Sequence, residues 1–243
     1  MRWALASLGV GQPFEPVGFW IGQSWSEIGR ELRDRLNYQN LEVLFSDGGP
    51  GIQESLLEEG MQHQRCVWHG KRDFSYLLYA DGLKKDEQAP WVQKLKAIPA
   101  MNLSKANLES LRPEDLPQVH KLAEKTKQDF EELLSLLENE RYPRAYTYLE
   151  NLWHYITTFF DWWLKNKEWI PLNTNAIETA FSQINNRIKR VGRRWTDQGL
   201  LNWLKVTMHK IFYTHTWEDL WKQYLKLNPT FTLVSISTNY QWV

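Results

Sequence analysis

Cysteine is almost missing from this chain. Cys66 is the only one in 243 residues, so no intrachain disulfide can form, which fits a reducing compartment. Long apolar runs are missing too. The most apolar helical stretch, around Leu152 to Leu164, is interrupted by His154 and Asp161, and nothing reaches the length of a bilayer span. The start, Met1-Arg2-Trp3-Ala4, does not lead into the apolar core and cleavage site of a signal peptide. Net charge is absent: 29 Lys and Arg balance 29 Asp and Glu, so the chain as a whole announces no polyanionic partner. These absences predict a soluble protein of the cytoplasm, nucleoid-associated if prokaryotic, with no membrane partner. In excess is tryptophan, with 14 residues. Core filling accounts for most of them, and base stacking for one or two.

The first third alternates short apolar segments with glycine-bearing turns. Trp3 to Val10 reads as a strand, and Pro16 to Ile21 can pair with it as a hairpin. Ser24 and Glu27 match a capping box ahead of an amphipathic helix with Trp25, Ile28, Leu32 and Leu36 on one face. Leu41 to Phe45 reads as a buried strand running into Ser46-Asp47-Gly48-Gly49-Pro50-Gly51, followed by a helix from Ile52 to Glu59 and a strand from Gln64 to Trp68. From about Lys84 the texture changes. Leu116 to Glu140 and Tyr146 to Trp169 are helical and contain no glycine. Further helices are predicted at Thr174 to Arg190, Gly199 to Tyr213 and Trp217 to Leu227. The order of elements predicts an α/β core, 1–83 and 170–243, interrupted by an all-helical insertion, 84–169.

Four groups of residues carry candidate chemistry. Asp47 stands at the C-terminal end of a predicted strand, the edge where open α/β sheets bind ligands, although an aspartate before Gly-Gly is also an ordinary turn residue. Glu178 opens a predicted helix. With Asn175 it fits a capping box, yet it also heads a polar stripe with Ser182, Asn185 and Lys189. Arg187, Lys189, Arg190, Arg193 and Arg194 form a basic cluster around Trp195. Asp197 is the only acid between Arg187 and Lys210, and this pattern suits phosphate binding. Cys66-Val67-Trp68-His69 is half of a zinc site, but no second cysteine exists to complete it and His63 is poorly spaced. A buried thiol on a strand and a hydrogen-bonded histidine are the plain alternative.

Ser46-Asp47-Gly48-Gly49-Pro50-Gly51-Ile52, then Gln64-Arg65-Cys66-Val67-Trp68-His69 and Lys71-Arg72-Asp73, resemble the second-aspartate region of Mutator-like DDE transposases. Asn173 to Ser182, followed by Arg187-Ile188-Lys189-Arg190 and Trp195, resembles the helix bearing that family's third acidic residue. The resemblance runs from about Ala4 to Phe212. It implies an RNase H-like mixed sheet flanked by helices. It also implies metal-dependent cleavage and joining of DNA strands by two Mg2+ or Mn2+ ions, with Asp47 and Glu178 as catalytic metal ligands close together in space. Double-stranded DNA and self-association on it are the implied partners.

The family's first carboxylate has no counterpart here. Glu15 and Asp34 are the earliest acids of their kinds and neither sits at the end of the first strand, so the chain is expected to be incomplete and inactive by itself. Two other readings stand beside the enzyme: a catalytically inactive DNA-binding protein, and a helical interaction protein with no nucleic-acid role.

Overall fold

The computed structural model describes residues 2–6, 15–103, 110–175, 178–179, 181–182, 184–186 and 196–224. Two short strands open the chain, β1 (Arg2–Ala6) and β2 (Glu15–Trp20). They pair antiparallel, as the predicted hairpin requires, with a register irregularity at Ala4/Leu5. Helix α1 (Trp25–Arg35) begins at the anticipated capping box: Glu27 N donates to Ser24 Oγ at 3.2 Å and Ser24 N to Glu27 Oε2 at 2.7 Å. Strand β3 (Val43–Ser46), helix α2 (Ile52–Leu56) and strand β4 (Gln62–Arg65) follow, and β3 and β4 pair in parallel. Trp20, Ile28, Leu32, Ile52 and Leu56 form a small core among these elements.

Beyond Arg65 the elements among the described residues are helices. The elements are α3 (Val67–Ala80), α4 (Lys85–Ala97), α5 (Pro99–Asn102), α6 (Leu116–Asn139), α7 (Pro143–Ile156) and α8 (Thr158–Asn166). They enclose the main core, in which Phe74, Leu95, Met101, Phe130, Leu149, Phe159 and Trp163 are buried. Helices α3 and α7 approach closely at Gly70. A Cβ there would stand 2.9 Å from Leu152 Cδ2 and 3.2 Å from Ile156 Cδ1.

Helix α7 stops and α8 starts across Thr157, a break that exposes backbone groups to the core. Gln64, fully buried, fills that need from β4. Its Nε2 donates to Ile156 O at 3.2 Å and to Arg65 O at 2.7 Å, while Phe159 N donates to its Oε1 at 2.9 Å. Thr158 Oγ1 donates to His63 O at 2.7 Å, so the strand and the helix break hold each other.

The chain divides into two compact units, 1–179 and 180–243. In the second, α9 (Asp197–Phe212) is capped by Thr196, whose Oγ1 accepts from Gly199 N at 3.1 Å, and α10 (Thr214–Tyr224) follows it.

The RNase H-like expectation is overturned. Among the described residues there are two separate two-stranded sheets, β1–β2 and β3–β4, and no mixed sheet that joins them. The α/β class gives way to a predominantly helical protein. A local misreading goes with it at Gln64 to Trp68, which was expected to be one strand. The chain leaves the ladder after Arg65, and Cys66 becomes the N-terminal cap residue of α3.

Candidate functional site

Cys66, His69 and Glu178 converge in the first unit. One ligand atom from each lies within 4.8 Å of the others, and they are the single such group of three or more among the described residues. Local backbone geometry explains the placement. Cys66 is anchored by its N–H, which donates to Ser46 O at 2.8 Å, so the end of the parallel ladder fixes the thiol. His69 sits one turn along α3, on the same side of the helix. Val67 N donates to Leu172 O at 2.9 Å, which lays Leu172 and the adjoining Asn173 and Thr174 against the start of α3. Asn175 N then donates to Asn173 Oδ1 at 3.1 Å and Glu178 N to Thr174 O at 3.0 Å, turning the Glu178 carboxylate back toward Cys66.

Thr174 organises the polar centre. Its hydroxyl donates to Glu178 Oε1 at 2.6 Å and lies 3.5 Å from Cys66 Sγ. His69 Nδ1 faces Glu178 Oε1 at 3.7 Å. That nitrogen is buried without a hydrogen-bond partner. Cys66 is 1% exposed and His69 8%, whereas the Glu178 side chain is 41% exposed and forms the solvent side of the group.

The electrostatics couple the two buried groups. Burial pushes the Cys66 thiol up, but the polar contacts with His69 and Thr174 outweigh it and hold the thiol below its ordinary value. The contact with Cys66 raises the His69 imidazole against the opposing effect of burial, and the charge of Asp47 adds to the rise. Each of the two groups thus eases ionisation of the other.

Asp47 itself is not part of the ligand group. It is exposed and accepts from Gly49 N at 3.0 Å through Oδ1, the turn geometry of an aspartate before Gly-Gly. Gly48, at φ +83°, makes that turn, and a Cβ there would collide with the Arg65 guanidinium. The basic cluster, Arg187, Lys189, Arg190, Arg193, Arg194, and its Trp195 lie outside the described residues.

A row of side chains on α3 was not singled out by its sequence. Trp68, Arg72, Tyr76 and Tyr79 recur at helical spacing along the helix, and the three rings are exposed, with Trp68 at 50%, Tyr76 at 68% and Tyr79 at 71%. The Arg72 guanidinium stacks 5.2 Å from the Trp68 ring and its Nε donates to Asp73 Oδ1 at 2.8 Å. The spacing of four, four and three was visible in the sequence, but reading Trp68 as part of a strand hid it.

These observations correct the chemistry implied by the transposase resemblance. A cluster of thiol, imidazole and carboxylate replaces the expected set of carboxylates, so neither the DDE assignment nor a two-ion Mg2+ or Mn2+ cofactor is supported. The sheet that would present such carboxylates is missing among the described residues, and with it the strand-cutting enzyme. No protein-family profile, no curated protein and no solved structure matches this chain.

Proposed function

We propose that the chain is a non-catalytic, mainly helical DNA-binding protein. The observation that carries this reading is the exposed Trp68–Arg72–Tyr76–Tyr79 face of α3. Three large rings stand in water on one face, and an isolated patch of this kind points to a partner. Aromatic rings interleaved with a guanidinium suit bases, because every base has a π-face to stack and the cation tolerates the phosphates beside it. The basic cluster Arg187 to Arg194 supports the same reading from the sequence, since five cations within eight positions suit a phosphate backbone. Phosphate contacts supply affinity to double-stranded DNA, and the α3 face takes unpaired bases at an end or opening. Self-association on DNA and a cytoplasmic or nucleoid location go with this function.

The test is anisotropy with a labelled duplex carrying a single-stranded overhang, measured over a range of salt. Replacing Arg187, Lys189, Arg190, Arg193 and Arg194 by alanine should flatten the salt slope by about 0.9 for each phosphate that is no longer neutralised. Trp68→Ala with Tyr76→Ala should weaken binding to the overhang by roughly tenfold or more while leaving the salt slope alone. No binding to either form at low salt would overturn the proposal in favour of a helical module that docks another protein through the α3 face, where Trp, Tyr and Arg are equally at home.

A further inference from the structure

We propose that Cys66, His69 and Glu178 form a binding site for one divalent transition-metal ion of the zinc type. The site is independent of the DNA-binding reading. Three facts point to it together. The ligand atoms lie within 4.8 Å of one another, and the 3.7 Å between His69 Nδ1 and Glu178 Oε1 already equals an edge of a tetrahedral ion, roughly 3.3–3.8 Å for bonds of about 2.0–2.3 Å, so the group closes onto one ion by a shift of about 1 Å at most. The His69 side chain is only 11% exposed, and its Nδ1 has no hydrogen-bond partner while facing the carboxylate at 3.7 Å. A buried polar nitrogen left unsatisfied is costly, and an ion between it, the thiolate and the carboxylate would satisfy it.

Donor chemistry selects the ion. A thiolate and an imidazole suit zinc or cobalt, whereas magnesium and calcium require oxygen. Three protein ligands leave a fourth position for water, on the side where Glu178 meets solvent. Thr174 is the positioning residue. Its hydroxyl orients the Glu178 carboxylate at 2.6 Å and stands beside the sulfur, the arrangement by which outer partners fix metal ligands. The same residues could instead make Cys66 a nucleophile, with its sulfur at a helix start beside a histidine. Burial argues against that: at 1% exposure no substrate reaches the sulfur, while an ion can pass the Glu178 rim. Metal uptake releases the thiol proton, and the imidazolium proton where present, to solvent. The ion would tie the end of β4, the first turn of α3 and Glu178.

The experiment is titration of the full chain, freed of metal by a chelator, with Co2+ and then Zn2+. One equivalent of Co2+ should produce a thiolate-to-cobalt charge-transfer band with the intense visible bands of a tetrahedral ion, and Zn2+ should bleach both. Excess Mg2+ should not compete. Zn2+ should raise the melting temperature as its concentration increases. Cys66→Ser should abolish the charge-transfer band, and Glu178→Gln and Thr174→Val should each weaken Co2+ binding roughly 10- to 100-fold. Circular dichroism reports whether each variant is folded. If Cys66→Ser is not, the two rim variants decide. An absent charge-transfer band in the wild type would overturn the site, and so would affinity unchanged in both Glu178→Gln and Thr174→Val. Rapid alkylation of Cys66 that Zn2+ does not slow would assign the group to thiol chemistry instead.

Discussion

His63 shows what a single buried side chain does to the pH dependence of this protein. It is 5% exposed, its Nε2 sits 2.9 Å from Ser46 Oγ, its ring lies 5.0 Å from that of Tyr155, and its Nδ1 has no partner. Burial, and secondarily the charge of Arg65, lower its pKa from 6.5 to about 4. Between those values the unfolded chain holds a proton on His63 that the folded chain lacks. Folding stability supplied by the neutral ring is therefore complete above about pH 6.5 and is lost as the pH falls toward 4, by on the order of 3 kcal/mol. Urea unfolding at a series of pH values should show this loss, and His63→Gln should flatten the profile relative to wild type. Equal slopes for the two proteins would exclude the ring as its source.

At the scale of elements, the junctions are held by side chains borrowed from distant parts of the sequence. Gln64 satisfies both ends of the α7–α8 break. Gln64→Leu would leave Phe159 N and Ile156 O buried without partners. A loss of about 2–6 kcal/mol is expected, at roughly 1–3 for each group, readable as a lower urea midpoint. Asp81, just past the end of α3, caps α7: Arg144 N and Ala145 N donate to its two carboxylate oxygens at 3.2 and 2.9 Å. Asp81→Ala should cost about 1 kcal/mol and Asp81→Asn less, because the amide keeps one acceptor. Identical melting curves for Asp81→Ala and wild type would show that water replaces the cap fully. The α3 and α7 helices meet at Gly70, where Gly70→Val should destabilise by roughly 1–3 kcal/mol because the ends of Leu152 and Ile156 must move aside. Unchanged thermal stability would show that this crossing is loose.

Across the first unit, apolar burial is split between a small core around Ile28 and a larger helical core around Phe74 and Leu149. Among the groups that connect them is Gln53 Nε2, which donates to Tyr155 OH at 2.7 Å. Ile28→Ala and Leu149→Ala each delete a fully buried side chain and should each cost about 2–5 kcal/mol locally. Hydrogen exchange should distinguish them. Ile28→Ala is expected to expose amides of α1 and α2 while α6 and α7 stay protected, and Leu149→Ala to raise exchange throughout α3 to α8. Uniform loss of protection in both variants would mean a single cooperative unit. No helix among the described residues is long and apolar enough to cross a membrane.

The sequence by itself determined what depends on neighbours in the chain. The Ser24–Glu27 box, the β1–β2 hairpin, the Asp47-Gly48 turn and the glycine-free helices were legible because capping, turn geometry and amphipathic spacing act over a few residues. The spacing of Cys66 and His69, one helical turn apart, was legible for the same reason. Only the tertiary structure decided that the short strands do not assemble into one sheet, because pairing of strands far apart in sequence leaves no local mark. It alone brought Glu178, far along the chain from Cys66, to the thiol and imidazole, through the Val67–Leu172 backbone bond and the turn at Thr174. The third member of the group was placed by three-dimensional packing, which spacing along a chain does not encode.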